Sequence, residues 1–184
     1  PYYKLALKML GAAKTPKLFD GDIALKNVAK KLGLDDKFDA TNVAVYFGEE
    51  NVTVADPYFD GQGPERTGCN YCGACMTGCR NNSKNTLDKN YLHLAQQHGV
   101  EILAENEVYD VRPIKDAAGT NGYGIALKTS TKLITKRKKI TSKGVIFSGG
   151  VLGTVKLLLK LKKTSLPNIS DRLGQDIRTN NETL

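Results

Sequence analysis

Long apolar runs are the first thing this sequence lacks. No stretch of ~18 apolar residues occurs, so no transmembrane helix is expected. Internal repeats and low-complexity tracts are absent, which sets aside repeat architectures and linker-like chains. The opening residues carry no charged, apolar, small-residue sequence of the signal-peptide kind, and a cytoplasmic location is expected. Because the first residue is Pro1 rather than Met, a natural start further upstream stays open. Histidine is scarce, with only His93 and His98, and the G-x-G-x-x-G fingerprint of dinucleotide sites is missing.

What is present sets the scale. The 184 residues suffice for one ordinary domain or parts of two, and 40% of them are apolar, enough for a packed core. The formal net charge is +8. A surplus of this size belongs either to an anion-binding or nucleic-acid-binding surface or to a Lys-rich solvated one. Lysines spread along the whole chain favour the second. The one dense patch, Lys136-Arg137-Lys138-Lys139, lies where two strands are expected to meet, which suits a solvated hairpin. The aromatic surface of an RNA-binding sheet is missing, so no nucleic-acid partner is expected.

Periodicity places the elements. Residues 1–13 show helical spacing through Tyr3, Leu7 and Leu10. Residues 22–32 read as a second helix with Ile23, Val28 and Leu32 on a buried stripe and Gly33 as its stop. Residues 42–47 read as a strand, and residues 48–68 as a long loop with Pro57 and Pro64, of the kind that is functional or covers another part of a fold. A helix over 86–98, capped by Asn85 or Thr86 and ended by Gly99, precedes a short strand at 100–103. Three successive strands follow at 108–114, 123–129 and 132–141, with a turn signal at Asn121-Gly122. Val145-Ile146-Phe147 has the continuous apolar character of a buried parallel strand, and residues 152–161 form a helix. Residues 166–184 are mostly loop. The order predicts an α/β fold: part of a sheet with an antiparallel β-meander inserted, preceded by a helical N-terminal part.

Chemistry concentrates at two places. Cys69, Cys72, Cys75 and Cys79, all the cysteines of the chain, follow the C-x2-C-x2-C-x3-C spacing of a bacterial iron–sulfur run. In ferredoxins, Pro follows the fourth cysteine, which ligates a second cluster. Here Arg80 follows, and no second set exists. Four readings stay open: reduced thiols in a packed Gly-rich turn, which weigh most, an iron–sulfur cluster, a zinc site, or disulfides. The second place is Ser148-Gly149-Gly150-Val151-Leu152-Gly153. A strand running into a Gly-rich turn and a helix lets backbone N–H groups meet a phosphate or ring edge, or simply packs strand against helix. His93 and His98 both read as surface residues, so no catalytic residue is assigned.

Several stretches together resemble the glucose-methanol-choline (GMC) oxidoreductase family, nearest its cholesterol oxidase branch. Residues 79–92, with Ser83, Lys84, Leu87-Asp88-Lys89 and Tyr91-Leu92, are similar to a Gly-x-Lys-x-Ser-Leu-Asp-Lys-Thr-Tyr-Leu segment of that branch. Glu107-Val108 matches a strand where family members place a Val against the adenine of FAD. Gly122-Tyr123 leads into the meander. Residues 145–154 are similar to a Phe-Leu-Gly-Ala-Gly-Ser-Leu-Gly-Ser run, with Ser148 where Gly is usual, and the following helix carries Leu157-Leu158. Residues 166–170, followed by Leu173-Gly174, complete the series.

The resemblance covers most of residues 67–184 and is weaker before Gly48. It implies an FAD-dependent enzyme oxidising CH–OH groups, with a small-molecule alcohol or sterol as substrate. It implies a partial FAD-binding Rossmann-like sheet over 69–184, and a substrate-side or lid role for 1–68. The implied cofactor contacts are Val108, Ser148, Gly149 and Gly150. The family's N-terminal pyrophosphate-binding turn and its C-terminal catalytic segment are missing from these residues, so the implied partners are the remaining N- and C-terminal parts of the same enzyme. An electron-transfer module with an iron–sulfur cluster and a basic nucleic-acid-binding module are the alternatives.

Overall fold

The computed structural model describes residues 2–178. The chain divides into two compact units, Pro1–Ile102 and Leu103–Leu184.

The first unit is built from short pieces. Helix α1 (Tyr2–Met9) and helix α2 (Asp20–Lys31) take up the two expected helical segments. Asp20 and Asp22 in the first turn of α2 and Lys30 and Lys31 in its last complement the helix dipole. The Asp22 carboxylate also accepts the Phe19 N–H at 2.9 Å. The stripe expected to be buried is not: Ile23, Val28 and Leu32 are all exposed, and α1 and α2 contain no buried residue. Nothing in this unit covers those faces.

Two-residue ladders replace the longer strands read from sequence. β1 (Ala13–Lys14) pairs antiparallel with β2 (Asn42–Val43), and β3 (Thr53–Val54) with β4 (Arg66–Thr67). The strand expected over 42–47 stops at Val43, and Val45 bridges to Lys84 instead. The long loop 48–68 is shaped by one carboxylate. Asp56 accepts the backbone N–H groups of Tyr58, Phe59, Gly61 and Gly63 at 2.9–3.0 Å, which holds its pKa below the usual range against the cost of burial.

The helix expected over 86–98 begins later. A single 3-10 turn at Leu87–Lys89 precedes α3 (Tyr91–Gln97), and the cap is Asn90, whose side chain accepts the Tyr91 N–H. Asn85 is committed elsewhere, as described below. The short strand expected at 100–103 does not form, because the Val100 N–H returns to Ala95 O at 3.0 Å to close the helix end after Gly99.

The second unit is the expected meander with one helix laid on it, although the third strand, expected over 132–141, begins only at Arg137. β5 (Asn106–Pro113), β6 (Tyr123–Thr129) and β7 (Arg137–Ser142) form an antiparallel sheet in the order β5-β6-β7. β6 is central, and Ile125, Ala126 and Leu127 are all buried. β7 is an edge, and its exposed Arg137, Lys138 and Lys139 blunt it against further pairing. The basic patch is therefore an edge strand with a solvated face. The β5–β6 loop is held by Asp116, which accepts from Thr120 Oγ1 and Asn121 Nδ2 at 2.7 Å and from the Thr120 N–H at 3.2 Å.

Helix α4 (Val151–Lys162) packs against β5 through Leu161, which is 0% exposed and clusters with Val111, Ile125 and Leu127. Val145 and Phe147 pack on the same core, but Ile146 is 91% exposed, and residues 145–147 have no ladder partner among the described residues. The parallel strand expected there is an extended segment with one face open. The α/β class and the meander stand; the sheets seen are antiparallel and small. The loop expected over 166–184 is described as far as Arg178, and the rest of that range lies outside the described residues, as does Pro1.

Two outcomes follow from this packing. Leu161→Ala leaves a cavity under α4 and lowers stability by ~2–5 kcal/mol in denaturant unfolding. The Asp116 carboxyl, held at about 2 by Thr120 and Asn121, sits below its unfolded value. The loop's stabilisation is thus complete above the ordinary carboxylate range and is lost as pH falls through about 2. A carboxyl NMR titration shows this directly, and Thr120→Val together with Asn121→Ala returns the midpoint toward 3.8.

Candidate functional sites

The edge of the meander opens onto a cleft of about 710 Å³. Its walls come from β5 (Val108, Tyr109), from residues 145–149, and from one side of α4 (Thr154, Lys156, Lys160). β5 is an edge strand of its sheet, so alternate backbone N–H and C=O groups point away from its neighbour, and Tyr109 O already accepts from Lys160 Nζ at 3.3 Å. A bulge between Val108 and Asp110 turns the strand at this point. Val108 itself is half-buried, paired with Leu127 and packed on the core.

Ser148 and Gly149 line the same cleft as Val108, although a meander separates them in sequence. Gly150 does not line it. It stands at the N-cap of α4 with φ +84° and ψ 153°, a conformation that glycine adopts without strain and other residues do not. The helix start has no side-chain cap, so its first N–H groups are unsatisfied by side chains and give that end positive character. Gly153 and Thr154 of the first turns also face the cleft. The cations Lys128, Lys156 and Lys160 border it. Lys128 pairs with Glu107 at 3.0 Å, and Lys160 Nζ donates to Tyr109 O at 3.3 Å. The sequence reading missed these lysines. Their only signal was the i,i+4 spacing of Lys156 and Lys160 on one helix.

The cysteines form a second candidate site, in the first unit. All four line one largely apolar pocket of about 440 Å³, with Phe19, Val45, Phe47 and Tyr71 among its walls. All are free thiols, Cys69 and Cys79 half-buried, Cys72 and Cys75 exposed. No three His, Cys, Asp or Glu side chains among the described residues stand together as ligands for a single ion. Backbone N–H groups of Ser83, Lys84 and Asn81 hold the Cys79 thiol below its usual pKa, against a burial effect that raises it.

The ends of the cysteine loop are pinned. Cys69 N–H donates to Tyr46 O at 3.0 Å, Tyr46 N–H to Ser83 O at 2.8 Å, and Asn85 N–H to Ala44 O at 2.8 Å. Beneath it lies Arg66, 1% exposed, whose guanidinium donates to Asn85 Oδ1 from Nε at 2.9 Å and Nη2 at 2.6 Å, and to Asn82 Oδ1 from Nη1 at 2.8 Å. Burial lowers its pKa, and the nearby Tyr58, Cys79 and Asp88 act in the opposite sense. Sequence reasoning missed this buried cation, because Arg66 sits in a Pro- and Gly-rich stretch with no periodicity.

His93 is half-buried, its Nε2 3.1 Å from Gln97 Nε2, and His98 is exposed at the end of α3. Neither lines the cleft or the cysteine pocket.

Residues 23–174 match the family model described as GMC oxidoreductase. The chain is 42% identical to a cholesterol oxidase of Acinetobacter baumannii over 190 aligned positions, covering 100% of the chain and 34% of that protein. It is 38% identical to a cholesterol oxidase of Mycobacterium tuberculosis, again over the whole chain and 32% of that protein. The chain thus spans about a third of the length of these curated relatives. No solved structure matches it significantly.

The Arg66 network yields a test of its own. Lysine cannot reproduce the forked contact with Asn85. Arg66→Lys therefore lowers stability by ~1–3 kcal/mol in urea unfolding, and an unchanged midpoint contradicts the network's role.

Proposed function

The chain belongs to the GMC oxidoreductase family, and from that membership we propose that it supplies the adenine side of the FAD site in a longer, flavin-dependent enzyme that oxidises CH–OH groups. The observation that carries the proposal is the shared cleft: Val108 and the Ser148–Gly149 corner face one opening.

The residues present fit the group. A flat ring needs a slot with small residues on one side and backbone hydrogen-bonding groups on the other, and Ser148, Gly149 and the open edge of β5 provide both. Phosphates need positive potential, and Lys156, Lys160 and the uncapped start of α4 provide it, the charge of Lys128 being offset by Glu107. Val108 would pack against the ring, and the backbone around Ser148 and Gly149 would meet its edge. When bound, FAD supplies the electron sink for hydride leaving the alcohol carbon.

The proton of the alcohol hydroxyl is assigned to no residue of this chain, since His93 and His98 line neither cavity. The substrate class is read from the relatives: a hydroxyl on a small molecule, with sterols foremost. Residues 1–68 are assigned to the substrate side. The exposed apolar faces of α1 and α2 and the open face at Ile146 are assigned as surfaces that the remainder of the enzyme covers.

The test is flavin occupancy in the full-length enzyme. It should purify with bound FAD, bleached anaerobically by a sterol alcohol. Gly149→Val, which thrusts a branched side chain into the slot, should weaken FAD binding at least ~10-fold, or about 1.4 kcal/mol, with unfolding unchanged. A full-length enzyme that takes up no flavin on reconstitution, or a Gly149→Val variant with wild-type affinity, defeats the proposal.

A further inference from the structure

We propose that Cys69, Cys72, Cys75 and Cys79 hold an iron–sulfur cluster of the four-iron, four-sulfide class in the apolar pocket that all of them line. The flavin chemistry leaves this motif unused, and its residues belong to the Pro1–Ile102 unit, so the inference stands apart from the proposal above.

The four cysteines share one cavity without meeting at a single point. Zinc needs four ligands converging on one point at ~2.3 Å, and no such convergence exists among the described residues. A cubane offers its irons at separate corners, so its thiolates stand around a body rather than meet. All four cysteines line one cavity of about 440 Å³.

The surroundings match it too. The walls are predominantly apolar, with Phe19, Val45 and Phe47, and Cys69 and Cys79 are half-buried against them while Cys72 and Cys75 face solvent. Asp and Glu are absent from the lining, whereas Lys84 is part of it, its Nζ on Cys75 O at 2.8 Å. A thiolate-ligated cluster carries net negative charge, and a cationic border with no carboxylate suits it. N–H donors already point at three of the sulfurs: Tyr71 N–H at Cys69 Sγ and Ser83 N–H at Cys79 Sγ, both 3.4 Å, and Asn81 Nδ2 at Cys72 Sγ, 3.5 Å. Hydrogen bonds to sulfur are one of the determinants of cluster potential.

Arg80 after the fourth cysteine departs from the ferredoxin run in a consistent way. There the fourth cysteine serves a second cluster. Among these 184 residues there is one set, and Cys79 is assigned to the same cluster as the other three. Binding replaces four S–H bonds with four Fe–S bonds and releases four protons; two ferrous ions, two ferric ions and four inorganic sulfides are the co-reactants, so no electron is gained or lost.

The experiment is elemental analysis of the full-length protein purified anaerobically and reconstituted with iron and sulfide. The expected result is about four irons and about four acid-labile sulfides per chain, with a paramagnetic signal on reduction. Cys72→Ala and Cys75→Ala remove exposed side chains and should each lower iron and sulfide several-fold while leaving bound flavin unchanged. One zinc per chain without sulfide overturns the inference. So does metal-free protein whose cysteines are all alkylated or paired in disulfides, or full iron retention in both variants.

Discussion

Leu161 is shut off from solvent between α4 and the meander, and the Leu103–Leu184 unit is arranged around that contact. Burying such a side chain stabilises by ~1.5–3 kcal/mol, but its geometric effect matters more. It sets α4 against β5, and because residues 145–149 run directly into α4, it also sets the Ser148–Gly149 corner beside the β5 edge. The cleft is what remains between a helix, an extended segment and an edge strand that a shared core holds together. Its chemistry follows from its walls: edge backbone groups on β5, small residues at the corner, and cations along α4.

The first unit solves a different problem. Its helices bury nothing within it, and its ladders are two residues long. Order comes instead from polar groups that organise backbone: Asp56 collecting four N–H groups, and Arg66 held by the amide oxygens of Asn82 and Asn85. A buried guanidinium without a carboxylate in its hydrogen bonds is costly, which makes negative charge in the adjoining cysteine loop electrostatically welcome.

The second unit was legible because its sequence obeys the period of its structure. The run 123–129 marks the central strand, and the run 152–161 marks α4. The apolar run at 145–147 was read as a buried strand because composition cannot reveal whether a neighbour lies on each side; Ile146 shows that one face is open. In the first unit the same logic misplaced the cap of α3, since Asn85 had been claimed by Arg66, a contact across the fold that no local pattern announces. Val108 and the Ser148 corner were tied together only by the family resemblance, because residues so distant in sequence meet only once the meander folds. The cysteine spacing was plain from the start, whereas the pocket around it needed coordinates.

The most direct measurement is a crystal structure of the full-length enzyme with FAD. The adenine is expected against Val108 and the corner at Ser148–Gly149, with the β5 edge hydrogen-bonded to the ring. An adenine bound elsewhere, or this cleft packed shut by the enzyme's own side chains, would contradict it.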